Sequence, residues 1–124
     1  YVTLPDNFIT KVIERERIAS THLGNGIAVP HPSTVLLDTS KIVIAHVSKP
    51  IHWFDKQEVE WVFLLGMKKG DDPDQEALIR ALYTCISDMQ FMRELSQHPA
   101  FSTFHNHITS ILQIEESSSE SIFQ

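Results

Sequence analysis

The sequence predicts a single α/β domain in which helices cover both faces of a β-sheet. Short β-branched, apolar runs fill the first half of the chain, and amphipathic helical patterns follow in the second half. The 124 residues suffice for one domain with a hydrophobic core, and 42% of them are hydrophobic, which is ordinary for a globular protein. A chain in which strands are followed by helices, without internal repeats, has the pattern of a layered α/β domain.

The first predicted element is a helix. Pro5-Asp6-Asn7 is a helix-start signal, and the charged run Glu14–Arg17 closes the helix. The apolar residues between them recur at helical spacing on one face, namely Phe8, Ile9, Val12 and Ile13. Gly24-Asn25-Gly26 then predicts a turn, because these residue types tolerate positive φ.

Three strands are predicted next. Ile27–Val29 is a short strand that Pro30 stops. Lys41–Val47 is β-branched and continuously apolar, as in a strand covered on both faces, and Lys49-Pro50 breaks it. Glu58–Met67 begins with alternation and becomes fully apolar, so it predicts a strand that enters a buried position.

Helices are predicted in the second half. The polar loop Lys68–Asp74 ends in helix-capping residues. A stripe at i, i+3, i+4, i+7 and i+8 then predicts an amphipathic helix whose buried face consists of Leu78, Ala81, Leu82, Cys85 and Ile86. A second, short helix is expected to run from Asp88 through Leu95.

A last helix is predicted to start at Pro99. Its inward residues are expected to be Phe104, Ile108, Ile111 and Leu112. The remainder is acidic and serine-rich, which is typical of a disordered segment. We therefore expect a domain over residues 1–113 and a disordered tail over residues 114–124.

Charge and composition exclude several classes of function. The formal net charge of −6 argues against direct contact with nucleic acid, since such surfaces carry a basic stripe. No apolar run approaches the roughly 18 residues of a membrane span, so we expect no membrane association. The single cysteine, Cys85, cannot form an internal disulfide, which makes a reducing cytoplasm the default location. The chain opens without methionine, and we interpret it as a piece of a longer protein.

Among the seven histidines, His31 occupies the most constrained position, in the stretch GNGIAVPHP. Pro30 and Pro32 fix φ on either side and disfavour helical conformations before them, so the imidazole is presented at a set angle. Such preorganisation suits a nucleophile that meets an incoming group in line, and neutral imidazole can form a covalent intermediate. No nucleophile-elbow motif accompanies His31, so the histidine itself is the candidate nucleophile. The natural electrophile for an imidazole nucleophile is a phosphoryl group.

The other histidines give no sign of a metal site. His22, His52 and His98 fit the more common role of a histidine in a loop, that of a surface residue. His105 and His107 are two residues apart on a predicted helix, whereas a helical zinc pair needs i, i+4 spacing. A single cysteine provides no thiolate cluster. We therefore expect neither a metal nor another cofactor.

The stretch ERERIASTHLGNGIAVPHP resembles the signature of the mannitol/fructose-type EIIA domains. These domains belong to the phosphoenolpyruvate-dependent sugar phosphotransferase system (PTS) of bacteria. The resemblance extends from about Tyr1 to Leu112 and continues through KPIHW and VEWVFLL. It implies a mixed β-sheet with helices on both sides, and a leading strand and helix missing before Tyr1.

The resemblance also assigns roles to individual residues. It implies that His31 accepts a phosphoryl group from a phosphohistidine on the phosphocarrier protein HPr, and that Arg15 is the active-site arginine. A guanidinium can clasp two phosphate oxygens, although by position alone Arg15 is a solvated charge at a helix end. Arg17 is expected to face elsewhere. Thr21 and Asn25 are candidate hydrogen-bond donors to the phosphate, and a structural role in the turn fits them equally well.

One departure from the family bears on function. The sugar-transporting members carry a second histidine in an EHL context, where this chain has Glu76-Ala77-Leu78. The stretch QEALIRALYTCISD instead resembles EIIA-like domains at the C-terminus of transcriptional regulators with PTS regulation domains. Two functions therefore stay open. One is a sensory module that acts on the regulator's own domains, which Ala77 favours, and the other is a carrier that passes phosphate to a cysteine of an EIIB partner.

Overall fold

The computed structural model describes residues 4–33, 37–70 and 73–123, with side chains to residue 114. The chain divides into two units, Tyr1–Asp71 and Asp72–Gln124. Among the described residues, the first unit contains one helix and a mixed four-stranded sheet, and the second contains three helices. The predicted α/β class with a mixed sheet is confirmed.

Helix α1 spans Phe8–Ile18, close to the predicted bounds. Phe8 and Val12 are buried and pack with Leu37 in one apolar cluster. Ile9 is 50% exposed, so its predicted place on the buried face is wrong. The buried residues of the helix recur at a spacing of four, and the third of them is Glu16.

Strands β1 (His22–Gly24) and β2 (Ile27–Ala28) form a short antiparallel hairpin. The turn between them is the predicted one, since Gly24, Asn25 and Gly26 have φ values of 92°, 57° and 77°. Strand β1 itself is an element that the sequence did not predict. The hairpin places the chain that follows β2 next to the centre of the sheet.

Strands β3 (Lys41–His52) and β4 (Glu58–Gly66) complete the sheet in the order β1-β2-β4-β3. Strand β4 pairs parallel to β2 and antiparallel to β3. The carbonyl of Gly26 accepts hydrogen bonds from the backbone N–H groups of Glu60 and Trp61, at 2.7 and 2.9 Å. These bonds join the hairpin to the central strand.

Strand β3 continues past Lys49-Pro50, where the sequence predicted it to break. The pairing register with β4 shifts between His46 and Ile51 instead. Proline has no N–H to donate, but β3 lies at the edge of the sheet and can accommodate it where the pairing is irregular. The break is therefore an irregularity within one strand.

The second unit consists of α2 (Pro73–Ser87), α3 (Met89–Gln97) and α4 (Phe101–Phe123). Helix α2 contacts both α3 and α4, and four of its five predicted inward residues are buried, namely Ala81, Leu82, Cys85 and Ile86. The carboxylate of Asp88 caps α3 by accepting a hydrogen bond from the N–H of Phe91 at 3.0 Å. Phe91 stacks on His107 of α4, with ring centroids 4.0 Å apart.

Several helix boundaries differ from the predictions, among them the start of α4, which lies at Phe101 and not at Pro99. Helix α2 begins at Pro73, inside the predicted loop, because proline is well suited to the first turn of a helix. Helix α4 extends to Phe123, into the segment 114–124 that the sequence predicted as a disordered tail. No glycine or proline follows Pro99 to end the helix earlier. Within the described residues, no helix is long and apolar enough to cross a membrane.

Candidate functional site

The site is centred on His31, which lies three residues after Ala28, the last residue of β2. Val29 and Pro30 are buried, whereas His31 is half-buried. The carbonyl of Pro30 accepts a hydrogen bond from the backbone N–H of Leu65 in β4, at 2.9 Å. The backbone before His31 is therefore fixed to the central strand as well as restricted by proline.

A hydrogen bond to the backbone orients the His31 ring. Its Nδ1 lies 3.0 Å from the carbonyl oxygen of Val29. A carbonyl can only accept, so Nδ1 must carry the proton, and the neutral ring then has its lone pair on Nε2. The geometry thus makes Nε2 the nucleophilic atom.

Arg15 lies near the end of α1, in its last turn. Its Nη1 donates a hydrogen bond to the carbonyl oxygen of Ala19 at 2.6 Å, just beyond the helix. A cation at this position complements the negative end of the helix dipole. The contact stabilises the segment between α1 and β1. It uses one N–H of the guanidinium, which has five N–H donors in all.

Arg17 lies in a different environment. It lines a surface cleft of about 370 Å³ between the end of α1 and the β3–β4 turn. The exposed apolar side chains of Ile18 and Phe54 line the same cleft, whose lining does not include Arg15. Of the two arginines, Arg17 lines this cleft, whereas Arg15 is bonded to the Ala19 carbonyl. That Arg15 faces the phosphate and Arg17 does not stays a prediction.

Thr21 has the structural role that the sequence left open. It is buried, and its hydroxyl donates a hydrogen bond to Oε1 of Glu16. Its backbone N–H donates to Oε2 of the same carboxylate at 3.0 Å. Asn25 is exposed in the β1–β2 turn, where its positive φ suits the residue type. Hydrogen bonding of either side chain to a phosphate stays a prediction.

Glu16 is the residue of this region that the sequence analysis missed. It is only 3% exposed and accepts a third hydrogen bond, from Nε1 of Trp53 at 2.9 Å. The available signal was its spacing, because Glu16 lies four residues after Val12 and eight after Phe8, on the buried face of α1. Because Glu16 lies within the charged run Glu14–Arg17, the sequence analysis assigned it to the solvated end of the helix.

His22 also differs from its prediction as a surface residue. Its side chain is 12% exposed, with Nδ1 3.7 Å from Oδ2 of Asp55, and its Nε2 is buried with no hydrogen-bond partner among the described residues. Desolvation raises the pKa of Asp55, but hydrogen bonds from Gln57 and Ser20 and the proximity of His22 together lower that pKa below its ordinary value. His52 and His98 are exposed, as predicted.

Another histidine contact lies on the sheet. Nε2 of His46 lies 2.7 Å from Oε1 of Glu60, and the His46 ring packs on Trp61 with centroids 4.3 Å apart. Among the described residues, no group of three or more histidine, cysteine, aspartate or glutamate side chains could hold a metal ion.

The arrangement can support nucleophilic chemistry at one imidazole nitrogen. A hydrogen-bonded path runs from the Glu16 carboxylate to Thr21, from the Thr21 carbonyl to the N–H of Val29 at 3.3 Å, and from the Val29 carbonyl to His31. The path fixes the ring from its Nδ1 side.

Comparison with known proteins identifies relatives of the chain. A family model described as phosphoenolpyruvate-dependent sugar phosphotransferase system, EIIA 2, matches residues 1–111. The chain is 28% identical over 102 residues to the transcriptional regulator ManR of Bacillus subtilis (strain 168), which is 82% of this chain and 16% of ManR. It is 30% identical over 90 residues to the probable licABCH operon regulator of the same organism, which is 73% of this chain and 14% of that protein.

A third relative is closer to this chain in length. It is the PTS system fructose-like EIIA component of Escherichia coli (strain K12), 27% identical over 99 residues, which cover 78% of this chain and 67% of the relative. The chain thus spans about one-sixth of the first regulator but two-thirds of this component.

Solved structures share the fold. One is the complex of enzyme IIAMTL and phosphorylated enzyme IIBMTL from Escherichia coli, with a TM-score of 0.65 at 15% identity over 84% of this chain and 74% of that chain. Another is the nitrogen regulatory protein IIA-Ntr from Neisseria meningitidis, with a TM-score of 0.60 at 20% identity over 82% of this chain and 68% of that chain. At these identities the likeness establishes the fold alone.

Proposed function

Because the chain belongs to the EIIA 2 family of the phosphoenolpyruvate-dependent sugar phosphotransferase system, we propose that it accepts a phosphoryl group on Nε2 of His31. The observation that supports this assignment is the hydrogen bond between Nδ1 of His31 and the Val29 carbonyl, at 3.0 Å. It directs the lone pair of the neutral ring to Nε2, the atom left to react.

The proposed donor is a phosphohistidine on HPr. The lone pair of Nε2 forms a bond to phosphorus as the N–P bond of the donor breaks, and the donor imidazole leaves with that bonding pair. Catalysis of such a transfer consists mostly of positioning and stabilisation of charge. Arg15 is proposed to supply the charge, through guanidinium N–H groups not used on Ala19.

We further propose that the domain is a sensory module of a transcriptional regulator. Two relatives are a regulator and a probable operon regulator of which this chain matches only a small part. The family resemblance also places Ala77 where it implies a histidine in the sugar-transporting members. A phosphoryl group adds about −1.5 to −2 charges and strong hydrogen-bond acceptors, which can change an interface with the regulator's own domains.

The second candidate is a carrier that passes phosphate to a cysteine of an EIIB partner. Its support is the similarity to a fructose-like EIIA component across two-thirds of that protein. The solved complex of enzyme IIAMTL with phosphorylated enzyme IIBMTL gives the kind of partner expected in that case. Both candidates use the same chemistry at His31.

The assignment of His31 can be tested directly. The protein is incubated with phosphoenolpyruvate, enzyme I and HPr, and the acid-labile phosphate is mapped by mass spectrometry. We expect one phosphorylated residue and no label in His31→Ala. His52→Ala is the matched control, since His52 is exposed in the same unit. Full labelling of His31→Ala would refute the proposal.

A further inference from the structure

The least expected group near the site is the buried carboxylate of Glu16. It is 3% exposed and accepts three hydrogen bonds from the part of the chain that the structure describes, two from Thr21 and one from Trp53. Burial of a carboxylate is costly unless its oxygens are hydrogen-bonded. A group maintained in this way, one residue after Arg15, requires an explanation beyond helix formation.

Glu16 connects three segments of the first unit. It lies on α1, the Thr21 donors lie just before β1, and Trp53 opens the turn between β3 and β4. Trp53 is itself fixed in that turn, because its N–H donates to the Gln57 carbonyl and its own carbonyl accepts from the N–H of Lys56, both at 2.8 Å. The carboxylate therefore holds the end of α1 to two loops at once.

Thr21 relays this constraint to the nucleophile. Its carbonyl accepts the N–H of Val29 at 3.3 Å, and the Val29 carbonyl is the partner of Nδ1 of His31. Displacement of Thr21 would free the Val29 peptide, and the ring would then lose the bond that sets its tautomer and angle. Reaction rates of preorganised groups are sensitive to displacements of this kind, with about 1 Å able to cost about a hundred-fold.

We infer that Glu16 is a positioning residue for phosphoryl transfer, which acts through Thr21 and Val29 to hold His31 with its proton on Nδ1 and its lone pair on Nε2. The inference rests on the proposed function of His31 as the phosphoryl acceptor. Glu16 acts without direct contact with His31 or the phosphoryl group. Its role is geometric and requires hydrogen-bonding capacity at the two carboxylate oxygens.

The difference between geometry and charge can be tested by substitution. Among the described residues, the N–H donors of Thr21 and Trp53 both point to Oε2, and the Thr21 hydroxyl points to Oε1. In Glu16→Gln, the amide oxygen can take the Oε2 position, and the amide N–H₂ can donate to the hydroxyl, which turns to accept. Glutamine therefore preserves the network, whereas Glu16→Ala removes it.

The experiment compares Glu16→Ala, Glu16→Gln and the control Glu14→Ala, which removes an exposed glutamate of the same helix. Two quantities are measured: the kcat and KM for phosphoryl transfer from phosphorylated HPr, and the ¹⁵N shifts of the His31 ring in the unphosphorylated protein. We expect Glu16→Ala to lower kcat by about ten- to a hundred-fold, with KM within about two-fold, and to mix the two tautomers. Glu16→Gln and Glu14→Ala should keep one tautomer and a kcat within about three-fold of the original.

Three outcomes would overturn the inference: wild-type kcat and ring shifts in folded Glu16→Ala, a loss in Glu16→Gln equal to that in Glu16→Ala, or a change in KM alone. If Glu16→Ala does not fold, Thr21→Val is the milder variant, because it removes only the hydroxyl that bonds Glu16, and Thr21→Ser restores that hydroxyl. The ¹⁵N shifts of the His31 ring then show whether the tautomer depends on this contact. If the unmodified protein accepts no phosphate, the proposed function fails, while the ring shifts still report whether Glu16 controls the tautomer.

Discussion

The carbonyl of Val29 accepts a hydrogen bond from Nδ1 of His31, two residues further along the chain, at 3.0 Å. Val29 is completely buried, and its own N–H is bonded to the carbonyl of Thr21. The partner of the imidazole is thus a peptide group that cannot rotate freely. The short strand β2 and the two prolines that flank His31 therefore restrict the orientation of its imidazole ring.

The first prediction concerns the atom that is modified. Because Nδ1 carries the proton in this hydrogen bond, we expect the phosphoryl group on Nε2 of His31 and not on Nδ1. Long-range ¹H–¹⁵N correlation spectra of the phosphorylated domain distinguish the two isomers. Detection of the Nδ1 isomer as the main product would contradict the proposed orientation of the ring.

The second prediction separates the two arginines of α1. Arg15→Ala should slow the charging of His31 by roughly ten-fold or more, the scale of losing about 1.5–3 kcal/mol in a charged hydrogen bond. Arg17→Ala should have little effect, since Arg17 lines the cleft beside Ile18 and Phe54. The measurement is the rate of phosphate transfer from phosphorylated HPr.

A structural explanation for the loss must be excluded, because Arg15 also donates to the Ala19 carbonyl. Thermal unfolding of Arg15→Ala serves this purpose. Slow charging at temperatures where the variant remains folded would assign the effect to transfer. If Arg17→Ala proves to be the slower variant, the orientation of α1 relative to the phosphate has been assigned incorrectly.

Periodicity predicted the helices of this chain better than the strand ends. The inward stripe of α2 needed only apolar residues at helical spacing. Strand β1 has three residues and ends in Gly24, so it carries no pattern, and its existence depends on pairing with β2. Strand β3 passes Pro50 because an edge strand requires fewer donors than a central one, a condition that only the sheet order reveals.

The candidate site shows a similar division. His31 was identifiable from its two flanking prolines, because they act through local backbone geometry. Glu16 was not identified, since its partners Thr21 and Trp53 lie 5 and 37 residues away in the sequence. A charged residue on a helix is usually solvated, and only the tertiary contacts make this one buried.

The third prediction concerns Cys85. Burial raises the pKa of the Cys85 thiol from its ordinary value of 9.0 to about 12, and the negative charge of Asp88 adds to this increase. At pH 8 we therefore expect almost no thiolate, and no reaction with a disulfide reagent until the protein unfolds. Labelling of the native protein at the rate of a free thiol would contradict the burial of this side chain.

The same shift predicts a dependence of stability on pH. Between pH 9 and about 12 the unfolded chain loses the Cys85 proton while the native protein retains it. The contribution of Cys85 to the free energy of unfolding is therefore full below pH 9 and declines as the pH rises through that window. Urea unfolding of the original protein and of Cys85→Ala at pH 8 and pH 10.5 measures it, and a parallel decline in both proteins would show that other groups cause the dependence.

The last prediction distinguishes a sensory module from a carrier. If Ala77 marks a sensory module, His31 should accept phosphate readily but transfer it poorly to EIIB partners. The physical reason is that a second imidazole could orient the phosphohistidine or balance charge as the phosphoryl group leaves, and a methyl group can do neither. A long-lived phosphohistidine suits a signal, whereas a carrier must discharge at a rate comparable with its charging.

The measurement is a chase in which the domain is phosphorylated, phosphorylated HPr is removed, and a panel of EIIB domains is added while loss of label is followed. Ala77→His is the internal control, because it restores a histidine where the resemblance implies one. Ala77 is half-buried and lies near the start of α2. Under our proposal this substitution speeds discharge more than charging, since the unmodified domain already charges well. Fast discharge of the unmodified domain to any one EIIB would instead identify a working carrier, and it would show that the chemistry at His31 proceeds without assistance from a second histidine at position 77.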